Sequence, residues 1–313
     1  MIHDYYLSKA NIKRFEDWNR EKENSFRNRK KYQWRNKSKE EKYELWLEEV
    51  FVKPLAEIKR QIIEELKKDK DFRDFYPELS DLQNLPDNSV LIKISFTFKK
   101  PYTSKDEGEF HIINGRIFEN PIVRDKFTGL PMVRPSTWKG HLRFAAKMVN
   151  LEGKKKDIIK RLFGSEPESE EALKGRLYFF PTFFEDGAKK DVITPLKRDT
   201  RTPARGPIHI EVMEPGSKGE FYILYVPYPQ YKDFKEEQIK EDLKFLAEAL
   251  RLMFYTYGFS AKKTSGFGVI KEKLNEGKIW INTPEGIKDA DFHDLSELKD
   301  KITELFDNGD NNE

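Results

Sequence analysis

The chain of 313 residues contains no cysteine, which excludes disulfides, thiolate metal centres and cysteine nucleophiles and fits a reducing compartment. It has no long apolar run, its mean hydropathy is −0.80, and neither a secretory core nor a membrane-spanning stretch is visible. The expectation is a cytoplasmic protein without a membrane partner. An excess of one charge is missing too, because 58 Lys and Arg face 55 Asp and Glu for a net +3. Any nucleic-acid surface must therefore come from local clustering. Walker A, His-Glu-x-x-His and Gly-x-Ser-x-Gly patterns are absent, and Thr264–Gly268 lacks dinucleotide-fingerprint spacing, so no tightly bound cofactor is expected.

What is present divides the chain. Residues 1–86 are poor in glycine and carry apolar residues at helical spacing (Trp46, Leu47, Val50, Phe51, Leu55, Ile58, Ile62 and Leu66), which predicts a helical region. Its first half interleaves ten cations from Arg14 to Lys39 with Phe15, Trp18, Phe26, Tyr32 and Trp34. Two readings fit: a base-stacking, phosphate-neutralising surface, or solvated helices whose aromatics face the core. Pro77 and the turn-forming Leu85–Ser89 close the region.

A mixed pattern follows over 87–302. Val90–Phe98 alternates with period two and reads as a strand, and a long polar loop runs from Lys99 to about Arg134. Helices are predicted over 136–149 and 157–163, strands over 176–184 and 221–226, and an amphipathic helix over 234–257. Lys189–Ser217 reads as a protruding basic hairpin, an insertion placed at about 185–218. A glycine-rich connection from Gly258 to Gly268 leads to strands near Val269 and over 278–282, and residues 303–313 are expected to form a disordered tail. Strand, helix, strand, strand, helix, strand is the ferredoxin-like, RRM-like layout of an α+β protein, whose sheet commonly presents RNA.

The densest chemistry lies in 120–143. Pro131 and Pro135 keep the chain extended, Ser136 or Thr137 can cap the next helix, and Lys139 and Arg143 project from one face four residues apart. A helix start beside such cations suits phosphate; an ordinary capped helix with solvated charges is the alternative.

Several segments, in order, resemble the RAMP superfamily, the repeat-associated proteins of CRISPR effectors, and most of all the backbone subunits of type III systems. These are Glu119-Asn-Pro121, Arg124-Asp125, Thr128-Gly-Leu-Pro131, Ser136-Thr-Trp-Lys-Gly-His-Leu-Arg143, Leu162-Phe-Gly164 with Gly175-Arg-Leu177, Asp199–Thr202 with Glu211 and Pro215-Gly216, and Lys263–Gly268. The first 80 or so residues have no counterpart in the typical subunit.

The resemblance implies a subunit that grips guide RNA by its sugar and phosphate groups and positions target RNA beside other effector subunits, with the hairpin as a thumb. It assigns phosphate contacts to Arg134, Ser136, Lys139 and Arg143, to Arg198, Arg201 and Arg205 on the thumb, and to Lys262, Lys263 and Ser265. Gly266 and Gly268 would allow close backbone approach. Glu119 stands where active relatives carry a target-cleaving Asp, and is the candidate ligand for Mg²⁺ or Mn²⁺, with Asp125 as the fallback acid. Two alternatives are carried: a metal-independent ribonuclease processing guide precursors, for which His111 is the candidate base, and a purely architectural subunit.

Overall fold

The computed structural model describes residues 13–52, 57, 61, 75–105, 122–125, 129–165, 172–194, 197, 199–203, 206–230 and 234–307. The chain divides into two compact units: Met1–Lys70 with Gly108–Ile117 and Lys126–Gly129, and Asp71–Glu107 with Phe118–Asp125 and Leu130–Glu313.

In the first unit, α1 (Phe15–Ser25), α2 (Asn28–Arg35) and α3 (Lys39–Trp46) are followed by a π-helical turn, Leu47–Val52. A capping box starts α3: the Glu41 N–H donates to Ser38 Oγ (3.1 Å) and the Ser38 N–H donates to the Glu41 carboxylate (2.7 Å). Trp18, Trp34, Trp46 and Val50 form a small core, with Phe15 and Phe26 packed against it. Each indole N–H is satisfied, donating to Glu49 (3.3 Å), Asn19 (3.0 Å) and the Lys13 carbonyl (3.0 Å) respectively. Cations of the same run meet carboxylates, Lys22 with Glu49 at 2.7 Å and Arg35 with Glu23 at 2.6 Å. Of the five aromatics in that run, only Tyr32 stands in solvent. The aromatics therefore build the core, and the stacking surface is not formed. Leu55, Ile58, Ile62 and Leu66 of the helical rhythm lie outside the described residues.

The second unit begins with the short α4 (Leu79–Gln83) and then β1 (Val90–Thr97). Next come β2 (Met132–Val133), α5 (Pro135–Met148), α6 (Lys155–Phe163), β3 (Leu177–Phe179), β4 (Thr182–Phe183), β5 (Lys189–Ile193), β6 (Ile208–Val212) and β7 (Lys218–Tyr225). The unit ends with α7 (Glu237–Arg251) and a π-helical turn (Leu252–Tyr257), β8 (Glu276–Thr283), β9 (Gly286–Asp291) and α8 (Leu298–Asp307). The main sheet has the order β3-β7-β1-β8-β9, antiparallel throughout. Taking β1, α5, β3, β7, α7 and β8 as the six elements, this is the ferredoxin-like order with β9 added at one edge. Val90, Ile92, Ile94 and Phe96 point from the central strand into one core with Trp138, Leu142, Phe221, Leu246 and Phe254. Trp138, from α5, lies 4.7 Å from the Phe221 ring and 4.4 Å from the Phe259 ring.

Charged groups anchor α6 and α7 to the strands. The fully buried Asp242 receives Arg176 Nη1 at 2.8 Å, Arg161 Nη2 at 2.6 Å and the Tyr225 hydroxyl at 3.1 Å. Burial pushes its carboxyl above the usual range while Arg161 and Arg176 pull the other way.

Four expectations need correction. The run 176–184 is two strands, because Pro181 interrupts it: β3 pairs with β7, whereas β4 pairs with β2. Ile270, beside Val269, makes only a single bridge, to Phe98. The tail boundary at 302 falls inside α8, which runs to Asp307. The sheet is also a poor RNA platform on its open face. There Tyr76 stacks on Tyr222 (4.6 Å), and Lys93 is held between Glu276 (2.6 Å) and Glu220 (3.4 Å), carboxylates that would repel phosphate.

Candidate nucleic-acid interface

The start of α5 departs from expectation in one detail. Arg134 is the N-cap, Pro135 takes the first helical position, and no side chain caps the turn. Ser136 is therefore inside the first turn rather than at the cap. The Arg134 carbonyl accepts the N–H groups of Thr137 (3.0 Å) and Trp138 (3.1 Å). No acidic side chain belongs to this turn, and the positive end of the helix dipole suits an anion.

One face of α5, Trp138, Leu142, Ala145 and Ala146, is buried, and the opposite face presents Ser136, Lys139 and Gly140, with Arg143 half-buried. Gly140 is the informative residue here. A Cβ built on it would meet nothing within 4 Å, so packing does not require glycine at this position. Glycine in mid-helix costs about 1 kcal/mol relative to alanine. What its bareness provides is a trough along the exposed helix face.

The glycine-rich loop reaches the flank of the same helix at Phe144. Lys263 Nζ lies 3.9 Å from the centre of the Phe144 ring, and Phe144 packs edge-on against Tyr257 at 5.3 Å. By helical position, Lys139 and Arg143 flank Gly140 on one side while His141 and Phe144, with Lys263, flank it on the other. Burial, and then the charge of Lys263, lowers the His141 pKa to about 4, so the imidazole is neutral at physiological pH.

The loop is held by backbone pairing with the segment after β1. The Gly268 N–H donates to the Pro101 carbonyl (2.7 Å) and the Ala261 N–H to the Thr103 carbonyl (3.0 Å), and Ser260 Oγ bridges both backbone polar groups of Thr103. A Cβ on Gly258 would lie 2.3 Å from the Phe267 carbonyl, and one on Gly268 2.7 Å from the Ser260 nitrogen. Contrary to expectation, Gly268 is thus buried in the loop's own fold, where its backbone is closed to an RNA strand. Gly266 is the open glycine, left-handed at φ 75° with nothing within 4 Å of a built Cβ, and Lys262 and Ser265 beside it are exposed.

The predicted basic hairpin exists as the β5–β6 pair, with Ile193 and Phe267 packed against Ile208, Ile210 and Val212. Phe267 thereby ties the glycine-rich loop to the hairpin. Glu211 on β6 accepts the Ile122 N–H (3.1 Å) and pairs with Arg124 Nη2 (3.2 Å), both side chains being nearly buried. Asp125 closes the adjoining turn through its N–H to the Leu130 carbonyl (2.9 Å). Arg201 lies exposed in the connection between β5 and β6 with φ 53°. Arg198, Arg205, Glu119 and His111 lie outside the described residues. Among the described residues no three His, Asp or Glu side chains gather as a metal site.

The tertiary structure thus brings Lys263 onto Phe144 of the helix that carries Lys139 and Arg143, with Arg134 and Ser136 at its start, although about 120 residues separate the two segments. Sequence reasoning assigns no role to Gly140, His141 or Phe144; the signal for them is a mid-helix glycine followed four residues later by an aromatic.

Residues 107–271 match the family model described as the RAMP superfamily. The chain belongs to the RAMP superfamily. Among RAMP relatives it is 27% identical over 180 residues to "CRISPR system Cms endoribonuclease Csm3" of Streptococcus thermophilus, covering 52% of this chain and 79% of that one. Two solved structures are similar: a chain of the type III-B Cmr-beta complex bound to cognate target RNA (16% identity, TM-score 0.45, 74% of this chain and 75% of that one) and a chain of the Csm3-Csm4 subcomplex of the type III-A interference complex (18%, 0.43, 70% and 97%).

Proposed function

We propose that this RAMP protein is an RNA-binding subunit of a type III CRISPR effector in the cytoplasm, gripping guide RNA and positioning target RNA beside other effector subunits. The observation that carries this reading is the Gly140 trough, a helix face left bare between Lys139 and Arg143 on one side and Lys263 on the other. A ribose-phosphate strand laid against Gly140 would meet cations on both flanks and the start of α5 at one end. Such contacts grip the backbone without reading bases, as a guide of variable sequence requires.

The test is single-stranded RNA binding by the full chain against salt. Lys139→Glu with Lys263→Glu should weaken affinity by more than about tenfold and flatten the salt dependence by about 0.7 per lost phosphate contact. Wild-type affinity and slope in that variant would overturn the reading.

Cleavage of target RNA is a second proposal, favoured by the similarity to the Streptococcus endoribonuclease. Glu119 would hold Mg²⁺ or Mn²⁺, and Asp125 is the other acid named for it. Loss of target cutting on Glu119→Ala and in EDTA supports it. Precursor cutting that survives EDTA and disappears on His111→Ala selects guide processing instead, and RNA binding without cleavage under any metal condition selects an architectural subunit.

A further inference from the structure

Two surfaces outside the RNA trough turn large apolar side chains to solvent. Tyr32 on α2 is 68% exposed, Phe75 just before α4 is 54% exposed, and Leu79 in the first turn of α4 is 42% exposed. A single exposed hydrophobe is ordinary, but each of these surfaces is rimmed by charges of one sign.

Around Tyr32 the sign is positive. Arg27 is the N-cap of α2, Arg29, Lys30 and Lys31 lie in its first turn, and neither an acidic residue nor a side-chain cap accompanies them. Cations at the positive end of a helix dipole weaken the helix, so folding does not account for them. Among the described residues, the ion pairs of this unit engage Lys13, Lys22, Arg35 and Lys37, whereas Arg27, Arg29 and Lys30 enter none. Residues 13–46 carry 12 Lys and Arg against 7 Asp and Glu, more than the net +3 of the whole chain, so the remainder is net acidic.

Around Phe75 the sign is negative. Phe75 packs on Phe183 of β4 at 5.5 Å, and Tyr76 stacks on Tyr222 at 4.6 Å. Burial first, and then the charges of Glu220 and Glu185, push the Tyr76 hydroxyl above its ordinary range, so both carboxylates lie within electrostatic reach of this ring pair. Glu78 and Asp81 flank Leu79, and Glu185 and Asp186 follow Phe183 in an exposed turn. Among the described residues these four carboxylates form no ion pair, while Glu220 has Lys93 at 3.4 Å. Such a rim repels nucleic acid and suits a protein surface with an aromatic centre and cations around it. The Tyr32 face has that composition.

We propose that the Tyr32 face of one copy of this chain docks on the Phe75 and Leu79 face of another, the cations of α2 meeting Glu78, Glu185 and Asp186. The two patches differ, so the contact is heterologous, and successive copies join in a row with one patch free at each end. The contact goes beyond the RNA-binding reading and does not depend on it. With three exposed apolar side chains at its centre it is small and belongs to the weak, transient class.

Sedimentation velocity of the full RNA-free chain tests it. Between about 1 and about 100 μM at low salt the wild type should grow in size, and about 0.5 M salt should reverse the growth. Arg29→Glu/Lys30→Glu, which suits the helix dipole, and Phe75→Ser/Leu79→Ser should each stay monomeric. An equimolar mixture of the two variants should form a dimer and go no further, since each supplies the one intact patch that the other lacks. Glu185→Ser/Asp186→Ser, at exposed positions, replaces the second variant if that one does not fold. A wild type that stays monomeric overturns the proposal, as does self-association that both variants retain or a mixture that stays monomeric. A monomeric wild type whose RNA affinity falls more than about tenfold on Arg29→Glu/Lys30→Glu would give the α2 face to nucleic acid instead.

Discussion

The helices α1 to α3 and the exposed face of α5 with its glycine-rich loop share one composition, cations mixed with aromatics, and put it to opposite uses. In the first region three indoles turn inward and satisfy their N–H groups within the unit, while Lys22 and Arg35 meet Glu49 and Glu23. In the second, an aromatic ring supports a cation, Phe144 beneath Lys263, and a bare glycine separates that cation from Lys139 and Arg143. The lesson is that aromatic-cationic interleaving does not announce RNA binding. What matters is whether the aromatics turn inward and whether a surface is left open beside the cations.

The strongest way to sharpen this contrast is to break each region's anchor. Trp34→Ala should destabilise the first unit by about 3–5 kcal/mol in thermal or denaturant unfolding, and Asp242→Ala should cost a similar amount by leaving two arginines without their buried carboxylate. RNA affinity should survive Trp34→Ala; a loss as large as that of the Lys139/Lys263 charge reversal would erase the contrast.

A smaller effect comes from His141. Unfolded histidine takes up its proton below about pH 6.5, whereas the folded ring stays neutral down to about 4. Between those values the unfolded state binds more protons, so stability is complete above 6.5 and falls as pH drops towards 4, by at most about 3 kcal/mol. Unfolding midpoints across that window check it. Bound RNA phosphate beside Lys263 should raise the His141 pKa, visible as a shifted imidazole titration by NMR.

Smaller again, Gly140→Ala should stabilise the protein by up to about 1 kcal/mol, since its Cβ meets nothing. Gly140→Gln should weaken RNA binding by filling the trough; unchanged binding in that variant would deny the trough its role. The least effect is expected from Arg29→Ala/Lys30→Ala on α2, whose removal should alter RNA affinity by no more than about twofold.

Elements with strong periodicity are legible in the residues themselves. The alternation of Val90–Phe98 and the apolar stripes of α5, α6 and α7 identify them because period is a local property of the chain. β9 is not legible: Gly286–Asp291 (GIKDAD) has little strand character and pairs only because β8 offers it an edge. The expected role of Gly268 fails for a related reason, since sequence shows that a glycine is present but not whether backbone or solvent faces it. Gly266 and Gly268 carry the same residue and nearly the same φ, and differ only in what surrounds them.

By itself, the sequence determined the order of helices and strands, the absence of thiol chemistry and the short motifs that resemble the RAMP superfamily, because each is written in neighbouring residues. Tertiary structure alone decided that Lys263 would stand over Phe144 of α5, that Lys22 would find Glu49, and that cations from two helices would line a basin. Electrostatic fate depends on distance in space, and the strand order that sets those distances is a property of the whole fold.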